Sequence, residues 1–106
     1  MDEIIVEFHD AAFNHNISKE DIIHALKHRI DDMLIGELPD KWAVIGPNRA
    51  GNPLEIMYNV VDNNNISIFH ASLRSANLWK FSIYAAKTRL VYAMNARESF
   101  IKKFGL

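Results

Sequence analysis

Proton transfer and the holding of an anion need an acid or base that works near neutral pH, a carboxylate, and fixed cations. This chain of 106 residues offers His70, Glu55, Arg49, Arg74 and Arg97 for that work. Imidazole changes charge near neutral pH, so His70 can be a general acid or base; its ordinary alternative is a half-buried ring satisfied by backbone. Glu55 follows Leu54 in a run where Leu54, Ile56, Tyr58 and Val60 alternate. It therefore points to the other face of a strand, where it can act as a base, orient an arginine, or simply be solvated. Arg49 lies in Gly46–Pro53, which has two glycines and two prolines. Backbone amides and a guanidinium in such a turn can together hold phosphate, and the planar fork of arginine suits that anion. The stretch is not a nucleotide-binding P-loop, because the Gly-Lys-Ser/Thr ending is missing. His24 and His28 are four residues apart and share a helix face, but no third ligand is evident, so a solvated face is the expectation and no metal is assigned. Trp42, Trp79, Tyr58, Tyr84 and Tyr92 can stack on bases, although core packing is the commoner use of such rings.

The elements that must position these groups are bounded by composition. The length fits one domain spanning 1–106 and leaves little room for two. Hydrophobic residues make up 49%, enough for a core. The absence of cysteine excludes disulfides, thiol nucleophiles and thiolate metal sites. No apolar run approaches the roughly 18 residues of a membrane span, and Met1-Asp2-Glu3 lacks the basic start of a secretory signal. A cytoplasmic protein without membrane contact is expected. Net charge is −1, but residues 1–40 carry ten acids and three bases, and residues 41–106 carry three acids and nine bases. The halves thus hold −7 and +6: an acidic flank beside a basic working surface, or two halves that neutralise each other across the fold.

Along the chain, Ile4–Phe8 is β-branched and aromatic and predicts a strand. His9–His15 predicts one or two helical turns. Ser18 is a helix N-cap with Asp21 in the capping-box position, and Ile17 and Ile22 can staple the cap. The spacing of Ile22, Leu26 and Ile30 predicts a helix over 19–30. A loop containing Gly36, Pro39 and Asp40 follows. Strands are predicted at Trp42–Ile45, Leu54–Val61 and Ile66–Ala71, joined by the Gly46–Pro53 turn and the Asp62–Asn65 turn. Two successive hairpins make an antiparallel meander. From Ser72 onward the spacing of Trp79, Ile83, Ala86, Leu90, Ile101 and Phe104 fits one long helix or two shorter ones, although Arg89–Met94 also reads as a strand. The expected class is α+β: an antiparallel sheet of three to four strands with N-terminal helices and a C-terminal helix.

Three motifs in this order resemble the BrnT-type toxins, which belong broadly with RelE-like ribonucleases. They are His15-Asn16-Ile17-Ser18-Lys19-Glu20-Asp21-Ile22, then Ile45-Gly46-Pro47-Asn48-Arg49-Ala50-Gly51-Asn52-Pro53-Leu54-Glu55-Ile56, then Tyr92-Ala93-Met94-Asn95-Ala96-Arg97-Glu98-Ser99-Phe100. In such relatives a strand runs directly into a His-Ala-Met motif. Here the strand ends in Phe69-His70-Ala71, and Met-x-Ala-Arg comes only at Met94–Arg97, so residues 72–91 look like an insertion or a second strand-to-helix junction. Arg74 and Arg97 remain alternatives for the family's arginine.

The resemblance implies a RelE/BrnT-like fold and the toxin component of a bacterial type II toxin–antitoxin system. The implied activity is metal-independent cleavage of RNA by acid/base catalysis, with no cofactor. Such cleavage needs a group to deprotonate a 2′-hydroxyl, cations at the phosphate, and a proton for the leaving oxygen. Arg49, His70, Arg97 and Glu55 are the catalytic candidates. Arg74, Lys80, Lys87, Lys102 and Lys103 are the RNA-binding candidates, the lysines by general attraction to phosphates. A cognate antitoxin and RNA are the expected partners. The alternative is a non-catalytic interaction module of the same fold that forms a homodimer through its C-terminal apolar segment. The enzyme needs Arg49, His70 and a second arginine to converge; the module needs an exposed apolar patch.

Overall fold

A computed structural model describes residues 3–74 and 98–106. The chain opens with strand β1 (Ile5–Phe8), followed by a 3-10 turn at Asp10–Phe13 and helix α1 (Lys19–Lys27). Ser18 caps α1 as its sequence predicts: its Oγ accepts from the Asp21 N–H at 3.2 Å and donates to the Asp21 carboxylate. This pairing satisfies one of the amides a helix start leaves open. The helix buries Ile22, Ala25 and Leu26. It ends three residues earlier than the apolar spacing predicts. Arg29 donates to the Leu26 carbonyl at 3.0 Å and pairs with Asp32 at 2.8 Å, and Ile30 is left exposed.

The segment after the helix is a strand, β2 (Asp31–Gly36), where the sequence predicts a loop. Met33 and Leu34 are buried within it. Then come β3 (Lys41–Pro47), β4 (Pro53–Asp62) and β5 (Asn65–Leu73). Among the described residues the sheet has five strands in the order β1-β5-β4-β3-β2, and β1 runs parallel to β5. The expected meander is present as β2-β3-β4-β5, but the sheet is mixed rather than purely antiparallel. The reason is the route of the chain: β1 and β2 occupy opposite edges, and α1 crosses one face between them, packing on β3 and β4. The α+β class stands.

The main core lies on that helix-bearing face, where Trp42, Val44, Leu54, Ile56, Tyr58, Ile66, Ile68 and Ala71 meet Ile22 and Leu26. Trp42 and Tyr58 are core residues there, as the commoner reading of such rings expects. Gly46 explains the closeness of helix and sheet, since a Cβ there would sit 2.1 Å from the Ala25 carbonyl oxygen. A second cluster, Met33, Ala43 and Ile45 with Ile35 and Met57, lies on the opposite face. At the end of the chain, Ile101–Phe104 is a 3-10 turn with Ile101 buried in the main core. Arg29 holds this segment through the Leu106 carbonyl at 2.8 Å, and Ser99 hydrogen-bonds Asp32. Within the described residues this short turn is all that corresponds to the predicted C-terminal helix; Trp79–Leu90, Tyr84 among them, lie outside them, as do the rest of the apparent insertion beyond Arg74 and Tyr92 after it. Among the described residues no helix is long and apolar enough to cross a membrane.

Candidate acid/base site on the sheet

Alternation along β4 sends Leu54, Ile56 and Tyr58 to the helix face and Glu55 and Met57 to the other. Strand β5 would put the wrong residues opposite them if it were regular. Its pairing shifts between Met57↔His70 and Tyr58↔Ile68, leaving Phe69 as an extra residue. This bulge changes the phase of the strand. Ile66 and Ile68 before it and Ala71 after it all reach the main core. His70, Ser72 and then Arg74 fall on the other face, two residues apart, beside Glu55. Ser72 is directly opposite Glu55. The Arg74 N–H donates to the Pro53 carbonyl at 3.0 Å, which carries the pairing one step past Leu73 and fixes where the Arg74 side chain starts.

These side chains form one cluster around a buried carboxylate. Glu55 is only 6% exposed. Its Oε2 accepts from Arg74 Nε at 2.7 Å and from Arg74 Nη2, and His70 Nε2 lies 3.5 Å from the same oxygen. His70 Nε2 is also 3.0 Å from Ser72 Oγ. A carboxylate this buried is costly without a cation, so Arg74 is what permits Glu55 here. In the tautomer with its proton on Nε2, His70 turns that proton toward the carboxylate and the Ser72 hydroxyl and keeps the lone pair on Nδ1. The Arg74 side chain keeps 39% of its surface and that of His70 keeps 28%, so both reach solvent while Glu55 does not. His15 sits beside them, its ring edge-on to His70 with centroids 5.4 Å apart. The cluster can accept a proton, hold an anion and keep both functions in register.

The residues expected to act together are not all brought to one place. Glu55, His70 and Arg74 converge. Of the roles open to Glu55, the geometry fits the one that orients an arginine. Arg49 does not join them: its N–H and Nε both donate to Asp21 Oδ1, at 3.0 and 2.9 Å. The neighbouring turn amides are also taken, because Asn48 Oδ1 accepts from Ala50 at 3.0 Å and from Asn52 at 2.8 Å. The turn expected to hold phosphate is therefore closed on itself and on α1. This ion pair also joins the acidic half to the basic half. The Arg49 guanidinium, followed by its backbone N–H, holds the Asp21 carboxyl down at about 2.

Lys102 and Lys103 border a cavity of about 520 Å³ beside Trp42, Ser99 and Phe100, on the helix side of the sheet. Lys103 lies over the Phe100 ring at 4.2 Å. Trp42 pairs with Tyr58, three residues from Glu55 along β4, and its side chain lies on the other face, so the cavity these lysines border opens beside the face opposite Glu55. Arg97, Lys80 and Lys87 lie outside the described residues. His24 is tied by Nδ1 to the Pro47 carbonyl at 2.9 Å and meets the His28 ring at a tilt of 35° with centroids 4.3 Å apart. Among the described residues no group of three His, Asp or Glu side chains can hold a metal ion.

His15 and Ser72 are members of the cluster that residue types alone did not single out. In the sequence His15 stood as the end of the short helical stretch His9–His15 and the first residue of the motif leading to the Ser18 cap, with no chemistry assigned to it. Ser72 becomes visible once the strand is continued past Ala71 with a period of two, which also puts Arg74 on its face. Compared with protein families, with curated proteins and with solved structures, the chain matches none.

Proposed function

We propose that this chain is the toxin component of a bacterial type II toxin–antitoxin pair and cleaves RNA by metal-independent acid/base catalysis. The observation that carries the reading is the gathering of His70 and Arg74 on the buried Glu55 carboxylate. The three motifs that resemble BrnT-type toxins supply the substrate class and the RelE/BrnT-like version of the α+β fold. In this reading His70 Nδ1 takes the proton of the ribose 2′-hydroxyl. The 2′-oxygen attacks the adjacent phosphorus and the bond from phosphorus to the 5′-oxygen breaks. The products are a 2′,3′-cyclic phosphate and a 5′-hydroxyl end. Glu55 stabilises the imidazolium and holds Arg74, whose outward guanidinium edge offsets the charge that gathers on the phosphoryl oxygens. Glu55 is thus a positioning residue, and Arg49 has no part in the chemistry. Lys102 and Lys103 attract the RNA backbone from outside the reacting centre. The cognate antitoxin inhibits the toxin in the bacterial cytoplasm by covering this site.

The test is induced expression of the wild type, His70→Ala and Arg74→Ala at matched soluble protein levels. Growth arrest with RNA loss in the wild type, and neither in the variants, supports the reading. Unimpaired growth and intact RNA with the wild type sinks it and favours a non-catalytic interaction module.

A further inference from the structure

Cleavage by this route needs two proton transfers on opposite sides of phosphorus. One group accepts from the entering 2′-oxygen and another gives to the departing 5′-oxygen. His70 can serve only one of them in a single displacement. Resting on the ribonuclease reading, we propose that His15 is the second proton-transfer group, the acid that protonates the leaving 5′-oxygen.

The chain delivers His15 by an unusual turn. The 3-10 turn ends at Phe13, the Asn16 N–H donates to the Phe13 carbonyl at 3.2 Å, and Asn16 takes a left-handed φ of 59°. Asn tolerates that conformation better than most residues. The pairing of β1 with β5 stops at Phe8↔Ile68, with one last bond from the His9 N–H to the Ile68 carbonyl at 2.9 Å. Past that point the loop carrying His15 lies alongside β5, and the imidazole meets His70 edge-on at 68° between ring planes. His15 is exposed.

The assignment of base and acid follows from the carboxylate. Glu55 approaches the imidazole of His70. It stabilises that ring after it has gained a proton, which suits the base. His15 has no such carboxylate contact among the described residues and is exposed, which leaves its ring open to the departing 5′-oxygen. The step balances. The 2′-proton goes to His70, and the bond from the 2′-oxygen to phosphorus forms. The bond to the 5′-oxygen breaks with its electron pair on that oxygen, which takes the proton of His15. Exchange with water, or hydrolysis of the cyclic phosphate with the roles reversed, restores both rings.

A substrate whose leaving group needs no proton separates this role from a structural one. The wild type, His15→Gln and His70→Gln are assayed on an oligoribonucleotide and on uridine 3′-(4-nitrophenyl phosphate). His15→Gln is expected to lose on the order of 100-fold in kcat on RNA and no more than about threefold on the nitrophenyl ester, whereas His70→Gln loses heavily on both. Activity on the ester also shows that the His15→Gln site is folded. Equal losses on both substrates, or none on RNA, overturn the assignment of His15 and leave the ribonuclease reading standing. A wild type that cleaves neither substrate removes that reading, and this inference with it.

Discussion

Glu55 is the residue on which the site depends, because a buried carboxylate is tolerated only while a cation answers it. Arg74→Ala would leave that charge without its main partner and is expected to destabilise the fold by roughly 1–3 kcal/mol, read from the urea midpoint. Glu55→Gln removes the charge and keeps the shape. It should cost less stability than Arg74→Ala while freeing the arginine and lowering activity, a split that a simple packing role would not produce. Asp21 gives an independent check on the Arg49 geometry. Its carboxyl is depressed from 3.8 to about 2, chiefly by the Arg49 guanidinium and next by the Arg49 N–H. Because the folded value lies below the unfolded one, this contribution to stability is complete above the unfolded value and is lost as pH falls through about 2. In Arg49→Ala the Asp21 titration, followed by carboxyl NMR, should move back toward its ordinary value, and the acid limb of the stability curve should flatten. An unchanged Asp21 titration would mean that the ion pair does not form in solution. Residue types named Glu55, His70 and Arg74, and the fold brings these three together. They could not show that Arg49 spends its hydrogen bonds on a helix start 28 residues earlier.

Element by element, local signals were read well where one rule acted alone. The Ser18 cap, the alternation of β4 and the Asp62–Asn65 turn were all legible. Reading failed where two rules competed. Asp31 and Asp32 hid β2, since acids are poor strand formers, and the sheet edge accepts them because Asp32 has Arg29 and Ser99 as partners. The bulge at Phe69 hid the face of His70, because one extra residue reverses the alternation. Ser18→Ala should cost about 1 kcal/mol through loss of the cap. Gly46→Ala should cost more, about 1–3 kcal/mol, because the new methyl meets the Ala25 carbonyl and α1 must lift from β3. Thermal unfolding of the two variants orders them, and a Gly46→Ala protein as stable as the wild type would contradict the packing of helix on sheet.

For the molecule as a whole, the sheet sorts its work by face. One face carries the helix and the main core. The other carries a smaller apolar cluster with Glu55, His70 and Arg74 beside it. The class of fold was readable from patterning, but the mixed sheet was not. Nothing local tells a first strand to run parallel to the last; that follows from α1 crossing a face and sending β2 to the far edge. The charge division between halves was plain in composition, yet composition does not show which residues join them, as Asp21 and Arg49 do. If the face bearing Glu55 is the working surface, disabling one imidazole there should silence the protein without unfolding it. The most direct measurement maps RNA ends after incubating wild type and His70→Ala with a translating cell extract. The account predicts new 2′,3′-cyclic phosphate and 5′-hydroxyl ends with the wild type and none with a folded His70→Ala. Equal cleavage by the two proteins, or intact RNA with both, would contradict it.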